Sequence, residues 1–154
     1  QQILEVCLNM AEHEIAPRAQ LVRAFDVRAL VSGTEASLGQ VFLNLLLNAA
    51  QAIPEGAPHE HEVRVAVRAI DGDRVAIEIR DTGPGIAPSI RERIFEPFFT
   101  TKQGDGTGLG LAICHRIVTS VGGTLTAHGG GERGALFRVV LPMLASETGT
   151  SAPR

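Results

Sequence analysis

The chain has 154 residues, 44% of them hydrophobic and 20% charged, which suits one globular domain with a core of its own. A net charge of −3 with scattered arginines argues against nucleic acid as the main partner. No apolar run is long enough to span a bilayer, so we expect no direct insertion into a membrane.

The start of the chain and its two cysteines bear on the length of the parent protein and on its cellular compartment. The sequence begins at Gln1 with neither an initiator methionine nor a signal peptide, so we expect a piece cut from a longer protein. Cys7 and Cys114 lie far apart in apolar helical patterns, which predicts reduced core residues of an intracellular protein. We therefore expect a cytoplasmic domain, whether or not the parent protein is anchored in a membrane.

The first element is an amphipathic helix within residues 1–20, where apolar residues recur at helical spacing. It is either a core helix or the end of a connector from an absent upstream domain. Alternation over residues 21–27 then predicts a strand, and residues 29–31 a short second one.

A long, very apolar helix follows, from Glu35 to about Ile53, with Thr34 as its N-cap. Gln40, Asn44 and Asn48 fall four residues apart, so their carboxamides form one stripe between leucines. A buried carboxamide needs partners, which makes ordinary surface polarity a poor explanation for the whole stripe. A neutral side-chain oxygen near phosphates is a suitable Mg²⁺ ligand.

Two alternating segments, residues 63–70 and 74–80, predict an antiparallel hairpin that delivers Asp81 to the end of a sheet. The carboxylate of Asp81 can accept a hydrogen bond from an exocyclic amine such as that of adenine, whereas guanine offers a carbonyl there. We therefore expect a preference for ATP over GTP. The sequence His59-Glu60-His61-Glu62 before the hairpin lacks a third well-spaced ligand, so a metal site is not expected there.

Two glycine-rich turns, residues 81–86 and 104–111, suggest a nucleotide site, because such turns let backbone approach a ligand closely. The second turn opens a helix, predicted over residues 108–121, whose free N–H groups would face phosphate. Between the turns, residues 95–99 carry three phenylalanines, and the polar segment after them predicts a mobile lid with Lys102 reaching phosphate. A short helix is predicted over residues 88–92.

The last elements are two strands, residues 124–127 and 135–141, around a glycine-rich turn. Residues 145–154 are small and polar, and we expect them to be disordered.

These motifs together resemble the catalytic, ATP-binding domain of bacterial sensor histidine kinases, a branch of the gyrase, chaperone, histidine-kinase and mismatch-repair (GHKL) ATPases. Residues 40–49 look like the family's asparagine box, 81–86 like its first glycine box, 95–99 like its phenylalanine box and 106–111 like its second glycine box. The resemblance implies an α/β two-layer sandwich over residues 21–144, with a mixed sheet of about five strands backed by about three helices.

By position, the resemblance implies that Asn48 chelates Mg²⁺, that Asp81 binds the adenine amine and that Lys102 contacts phosphate. Some relatives place a lysine three residues after the metal asparagine, where this chain has Gln51, so Lys102 carries more of the charge neutralisation. The implied nucleotide-binding set is Asn48, Asp81, Gly83, Gly85, Ile86, Phe95, Thr100, Thr101, Lys102, Gly106, Thr107, Gly108, Leu109, Gly110 and Leu111.

Two further residues bear on the reaction that the resemblance implies. ATP-hydrolysing members of the superfamily place a glutamate base where this chain has Asn44, which cannot accept a proton, so the γ-phosphoryl group is kept for another nucleophile. In the family this nucleophile is a histidine on a separate dimeric hairpin domain. His13 does not match the acceptor pattern, because Pro17 is one residue too early and too few helices follow.

The implied partners are therefore ATP, that hairpin domain and, indirectly, a response regulator. Two alternatives stay open. One is a serine kinase of the anti-sigma-factor type, and the other is a non-catalytic module that senses nucleotide.

Overall fold

The computed structural model describes residues 1–102, 104, 106–129 and 133–145. Within these residues the chain forms helices, strands and three single 3₁₀ turns. The helices are α1 (Gln2–Ile15), α2 (Glu35–Gln51) and α3 (Gly110–Ser120). The strands are β1 (Gln20–Phe25), β2 (Glu62–Ile70), β3 (Arg74–Asp81), β4 (Thr124–Gly129) and β5 (Ala135–Pro142). The 3₁₀ turns are Pro58–Glu60, Pro88–Ile90 and Arg93–Phe95.

The strands form one mixed sheet in the order β1-β2-β3-β5-β4. β1 runs parallel to β2, and the other neighbouring strands pair antiparallel. A parallel pair needs a crossover connection, which the segment containing α2 supplies. Helices pack on one face of the sheet and share its core, so the predicted two-layer α/β sandwich is confirmed.

Period-two alternation decides which side chains of β3 reach the helices. Val75, Ile77 and Ile79 are buried on that side, and Asp81 follows in the same phase with 3% of its surface exposed. Arg80, between them, is exposed on the other face. The strand therefore delivers the Asp81 carboxylate to the side of the sheet that the helices cover.

Helix α1 belongs to the same core as the rest of the chain. It packs against α2, where Cys7 Sγ lies 3.4 Å from the carbonyl oxygen of Gly39. Its buried residues are Leu4, Cys7, Leu8, Ala11 and Ile15. The helix ends at Ile15, just before Pro17, which is earlier than the sequence predicts. Its continuation into an upstream domain stays a prediction.

The helix cap predicted at Thr34 is confirmed. Thr34 Oγ1 accepts a hydrogen bond from the backbone N–H of Ser37 at 3.1 Å, which satisfies one of the free donors at the start of α2. The buried stripe of the helix is Leu38, Val41, Phe42, Leu45, Leu46, Ala49 and Ala50.

Three local predictions are wrong. Residues 29–31 are not a strand: Val31 forms only an isolated bridge with Met143, because Ser32 and Gly33 end the extended stretch at once. Residues 88–92 are not one helix but run from one 3₁₀ turn toward the next. Helix α3 begins at Gly110 rather than Gly108, because Gly108 has a φ of +70°, outside the helical region.

Some predictions fall on residues outside the description. The structure does not describe the predicted disordered tail from residue 146 onward. It also does not describe residues 130–132 of the last glycine-rich turn. Across the described part of the chain, no helix combines the length and the apolar character that crossing a membrane requires.

Candidate functional site

A cavity of about 340 Å³ lies between α2, the turn after β3, the loop residues 99–102, 106 and 107, and the start of α3. Most of the predicted nucleotide-binding residues line it: Asn48, Asp81, Gly85, Ile86, Thr100, Thr101, Lys102, Gly106, Thr107, Gly108, Gly110 and Leu111. The volume falls within the range of about 300–1,000 Å³ that is usual for small-molecule sites. Four motifs that are separated in sequence thus meet at one place.

At one end of the cavity lies the buried carboxylate of Asp81. Its Oδ1 accepts hydrogen bonds from the backbone N–H groups of Gly83, at 2.8 Å, and Ala135, at 3.4 Å. Burial raises the pKa of the Asp81 carboxyl above its ordinary value, and the two N–H groups oppose this rise. The hydrogen bonds fix the plane of the carboxylate at the wall of the cavity.

Gly83 does not line the cavity but lets the turn after β3 pack against the end of α2. A Cβ atom at position 83 would lie 2.8 Å from the carbonyl oxygen of Ala52 and 3.0 Å from Asp81 Oδ1. A side chain there would push the turn away from α2, so glycine is required by this close approach. Gly83 also donates its N–H to Asp81, and its predicted place in the nucleotide-binding set stays a prediction.

An apolar wall lies beside Asp81, and the sequence analysis missed most of it. It includes Ile90 and Ile94 from the 3₁₀ segment and Phe137 from β5, together with Ala52, Phe99 and Ala135. The ring of Phe137 meets that of Phe95 edge to face, with centroids 6.5 Å apart. Alternation along β5 indicates that Phe137 faces the helices, but no local signal shows which part of that face is hollow.

At the other end of the cavity lie Asn48 and Lys102. The Nζ of Lys102 donates to Gln51 Oε1 at 2.6 Å and lies 3.5 Å from Asn48 Oδ1. Although Lys102 as a whole is exposed, loss of water around its ammonium lowers its pKa from the ordinary value. Of the described residues that line the cavity, only Lys102 carries a cationic side chain.

The start of α3 also faces the cavity. Gly110 and Leu111, in its first turn, line the wall, and no side chain among the described residues caps this helix end. Gly108 makes the turn before it: a Cβ atom there would lie 2.5 Å from the carbonyl carbon of Phe98. Unpaired N–H groups and the positive end of the helix dipole suit an anion at this position.

Other predicted residues lie outside the lining. Phe95 stacks against His115 at a centroid distance of 5.5 Å, and Leu109 is the residue just before α3. Asn44 donates from Nδ2 to Cys114 Sγ at 3.6 Å, beneath Gly110. Its carboxamide therefore helps to join α2 to α3, and its predicted influence on the reaction stays a prediction.

Neither His13 nor any residue of the segment His59-Glu60-His61-Glu62 lines the cavity. His13 is exposed on α1, with 75% of its side-chain surface accessible. His61 contacts Thr82 Oγ1 at 3.2 Å from Nδ1. Within the described residues, no group of three or more histidine, cysteine or acidic side chains is arranged to hold a metal.

The cavity therefore has an ordered polarity. A hydrogen-bond acceptor lies at one end beside apolar walls, which suits a flat base carrying an amine. A cation, an amide oxygen and a free helix N-terminus lie at the other, which suits a phosphate chain.

Comparison with known proteins agrees with this geometry. Residues 33–145 match the family of histidine kinase-, DNA gyrase B-, and HSP90-like ATPases. The chain is 47% identical over 122 residues to the two-component sensor PprA of Pseudomonas aeruginosa, covering 77% of this chain and 13% of PprA. The chain thus spans only a small part of this curated relative.

Solved structures are similar across nearly the whole chain. A mycobacterial sensor histidine kinase, MprB, superposes with a TM-score of 0.81 at 30% identity, covering 92% of this chain and 93% of that one. Full-length ShkA, solved in complex with AMPPNP, gives a TM-score of 0.78 at 32% identity, covering 94% of this chain and 30% of ShkA.

Proposed function

Because the chain belongs to the family of histidine kinase-, DNA gyrase B-, and HSP90-like ATPases, we propose that its cavity holds Mg·ATP. Its relatives assign it more closely, as the ATP-binding catalytic domain of a histidine kinase. The γ-phosphoryl group then passes to a histidine on a separate helical-hairpin domain of the same protein, and from there to a response regulator.

One observation carries this proposal: a buried carboxylate, Asp81, and an ammonium, Lys102, line a single cavity beside helix α2. The turn that holds Asp81 packs against Ala52, the residue that ends α2, and the Lys102 ammonium lies beside Asn48 and Gln51 of the same helix.

The surroundings of Asp81 support a preference for adenine. Both hydrogen bonds that the described backbone makes to the Asp81 carboxylate go to Oδ1. An acceptor at this wall favours the exocyclic amine of adenine and repels the carbonyl oxygen of guanine. Ile86, Ile90 and Phe137 would cover the faces of the ring.

The phosphate end offers charge neutralisation from two directions. The first turn of α3 points its N–H groups at this end, and Lys102 adds a full positive charge. Phosphoryl transfer asks a protein mainly for positioning and electrostatic stabilisation, and both are available here without a covalent step on the enzyme.

The residues present also fit a magnesium ion. Asn48 Oδ1 is a neutral oxygen at the cavity wall, and its 3.5 Å distance from the Lys102 ammonium supports a role as a cation ligand. Mg²⁺ usually keeps several waters and shares phosphate oxygens, so one protein ligand suffices. When bound, the ion would neutralise charge on the phosphates, and Asn48 would be its protein ligand.

The nucleophile must come from outside the cavity. His13 does not line it, and Asn44, which points at Cys114, cannot remove a proton from water at neutral pH. Hydrolysis should therefore be slow, and the γ-phosphoryl group stays available for transfer.

Calorimetry with Asn48→Ala and Asp81→Asn tests the binding part. We expect Asn48→Ala to lose the Mg²⁺-dependent share of ATP affinity while ADP without Mg²⁺ binds as before. Asp81→Asn should weaken ATP and relax discrimination against GTP. An unaltered nucleotide preference, or Mg²⁺-dependent affinity that survives Asn48→Ala, contradicts the respective role.

Mixing the chain with its cognate hairpin domain and labelled ATP tests the transfer part. Label on the hairpin that is lost in acid indicates phosphohistidine and supports the proposal. Acid-stable label would indicate a serine kinase, and binding of ATP without any transfer would indicate a nucleotide-sensing module.

A further inference from the structure

The ammonium of Lys102 lies between two carboxamide oxygens of α2. Its Nζ donates to Gln51 Oε1 at 2.6 Å and lies 3.5 Å from Asn48 Oδ1. A lysine ammonium can only donate, so both amides turn their oxygens toward it. Asn48 and Gln51 are three residues apart on one helix and share a face, so together they form a two-oxygen seat for the cation.

Gln51 is exposed and does not itself line the cavity, in contrast to Asn48. Direct contact with a nucleotide is therefore not what this position provides. It provides a fixed acceptor for a long side chain that has many rotamers when free. Ordering such a side chain before binding removes part of the entropy loss that binding would otherwise carry.

The neutrality of Gln51 matters as much as its position. A glutamate at position 51 would also hold the ammonium, but its charge would cancel the cation and repel phosphate. A carboxamide orients Lys102 and leaves the whole positive charge available.

We propose that Gln51 is a positioning residue: its side-chain oxygen holds the Lys102 ammonium beside Asn48, at the end of the cavity that receives the phosphate chain of a nucleoside triphosphate. This inference rests on the proposed function and adds to it a residue that touches no substrate.

A double-mutant cycle in the intact chain tests the coupling. Gln51→Ala should weaken ATP about 3- to 10-fold in calorimetry, the size expected when one hydrogen bond that orders a charged group is lost. In a Lys102→Met background the same substitution should change ATP affinity by less than about 2-fold, because the group that Gln51 orders is gone. Gln2→Ala, an exposed glutamine in the first turn of α1 that does not line the cavity, serves as control and should bind ATP like the parent chain.

Lys102 is the only lysine in the sequence, which gives a readout that does not depend on ATP. Lysine labelled with ¹³C at Cε therefore gives a single Cε resonance in NMR, and the two Hε protons of Lys102 are observed through it. We expect two distinct Hε resonances for the held side chain, which merge in Gln51→Ala and stay separate in Gln2→Ala.

Adenosine separates a failure of this inference from a failure of the proposed function, since it lacks phosphate. If neither adenosine nor ATP binds, the proposed function fails, and this inference with it. If both bind, but Gln51→Ala leaves the lysine signal and ATP affinity unchanged, the role of Gln51 is overturned. An undiminished effect of Gln51→Ala in the Lys102→Met background overturns it as well.

Discussion

The backbone N–H of Phe98 donates to the carbonyl oxygen of Gly108 at 2.9 Å, and this bond joins the segment before Phe99 to the turn before α3. Both partners have positive φ, +67° at Phe98 and +70° at Gly108. For a phenylalanine this conformation is strained, by about 1–2 kcal/mol. The hydrogen bond and the close packing of the two backbones hold it in place.

Gly108→Ala should disrupt the hydrogen bond between the Phe98 N–H and the Gly108 carbonyl oxygen. The added Cβ would lie 2.5 Å from the carbonyl carbon of Phe98, so backbone must move, and the positive φ becomes strained as well. We expect the Phe98 amide proton to exchange faster with solvent and ATP affinity to fall about tenfold or more. Hydrogen exchange followed by NMR and calorimetry measure the two effects.

Gly104→Ala is the matched control for this prediction. Gly104 also has positive φ, +99°, but nothing lies within 4 Å of a Cβ placed there. It carries the backbone strain without the collision, so Phe98 should stay protected. Equal effects of the two substitutions would contradict a specific role for the contact between Phe98 and Gly108.

Asp81 should make the protein less stable at neutral than at mildly acid pH. Because burial raises the pKa of its carboxyl, the folded state holds this proton more tightly than the unfolded state does. The stability that this group contributes is complete below its ordinary pKa and is lost as pH rises through the raised value.

Asp81→Asn should remove that pH dependence and raise the unfolding temperature at neutral pH, since the new side chain keeps an acceptor for Gly83. The same substitution should reduce the rise in unfolding temperature that ATP causes, because ATP binds more weakly. Thermal unfolding across pH, with and without ATP, measures both. Asp73→Asn, an exposed acid on the same hairpin, is the control. An unchanged pH profile in Asp81→Asn would rule out this assignment.

Asn44 should influence the thiol of Cys114. Burial raises the pKa of the Cys114 thiol, and the hydrogen bond from Asn44 Nδ2 opposes this rise. Asn44→Ala should therefore raise that pKa further. The ¹³Cβ shift of labelled cysteine followed against pH measures it, and Cys7, which contacts Gly39 instead, is an internal control in the same sample. A downward shift for Cys114 would disprove the contact.

Thr34→Ala should cost about 1 kcal/mol of unfolding free energy, because the first turn of α2 loses the acceptor for the Ser37 N–H. Thr34→Ser keeps the hydroxyl and should stay within a few tenths of a kcal/mol of the parent chain. Urea denaturation gives both values. A loss shared by the serine variant would point to packing of the threonine methyl group instead.

The parts of the site that could be predicted are those that local sequence determines. The four-residue spacing of Asn44 and Asn48 places both on one stripe of α2, and alternation along the hairpin puts Asp81 on the buried face. The glycines predicted turns because few other residues tolerate positive φ.

What could not be predicted depends on distant segments meeting. The contact between Gln51 and Lys102 joins positions 51 residues apart through a flexible side chain, and no pattern near either residue encodes it. Asn44 lies on the predicted stripe, yet Cys114 of α3 takes its amide group. Ile90 was expected in a short helix over residues 88–92, but it lies in one 3₁₀ turn and Ile94 in the next, and both line the cavity.

The parallel pairing of β1 with β2 has a practical consequence for expressing shorter versions of this protein. The segment that matches the ATPase family starts at residue 33, after both α1 and β1. A recombinant chain trimmed to that segment would lack α1 and β1. The backbone N–H and C=O groups of β2 that pair with β1 would then be exposed, as would the apolar residues of α2 that α1 covers. Exposed strand edges of this kind recruit strands from neighbouring molecules, so such a product should oligomerise or precipitate.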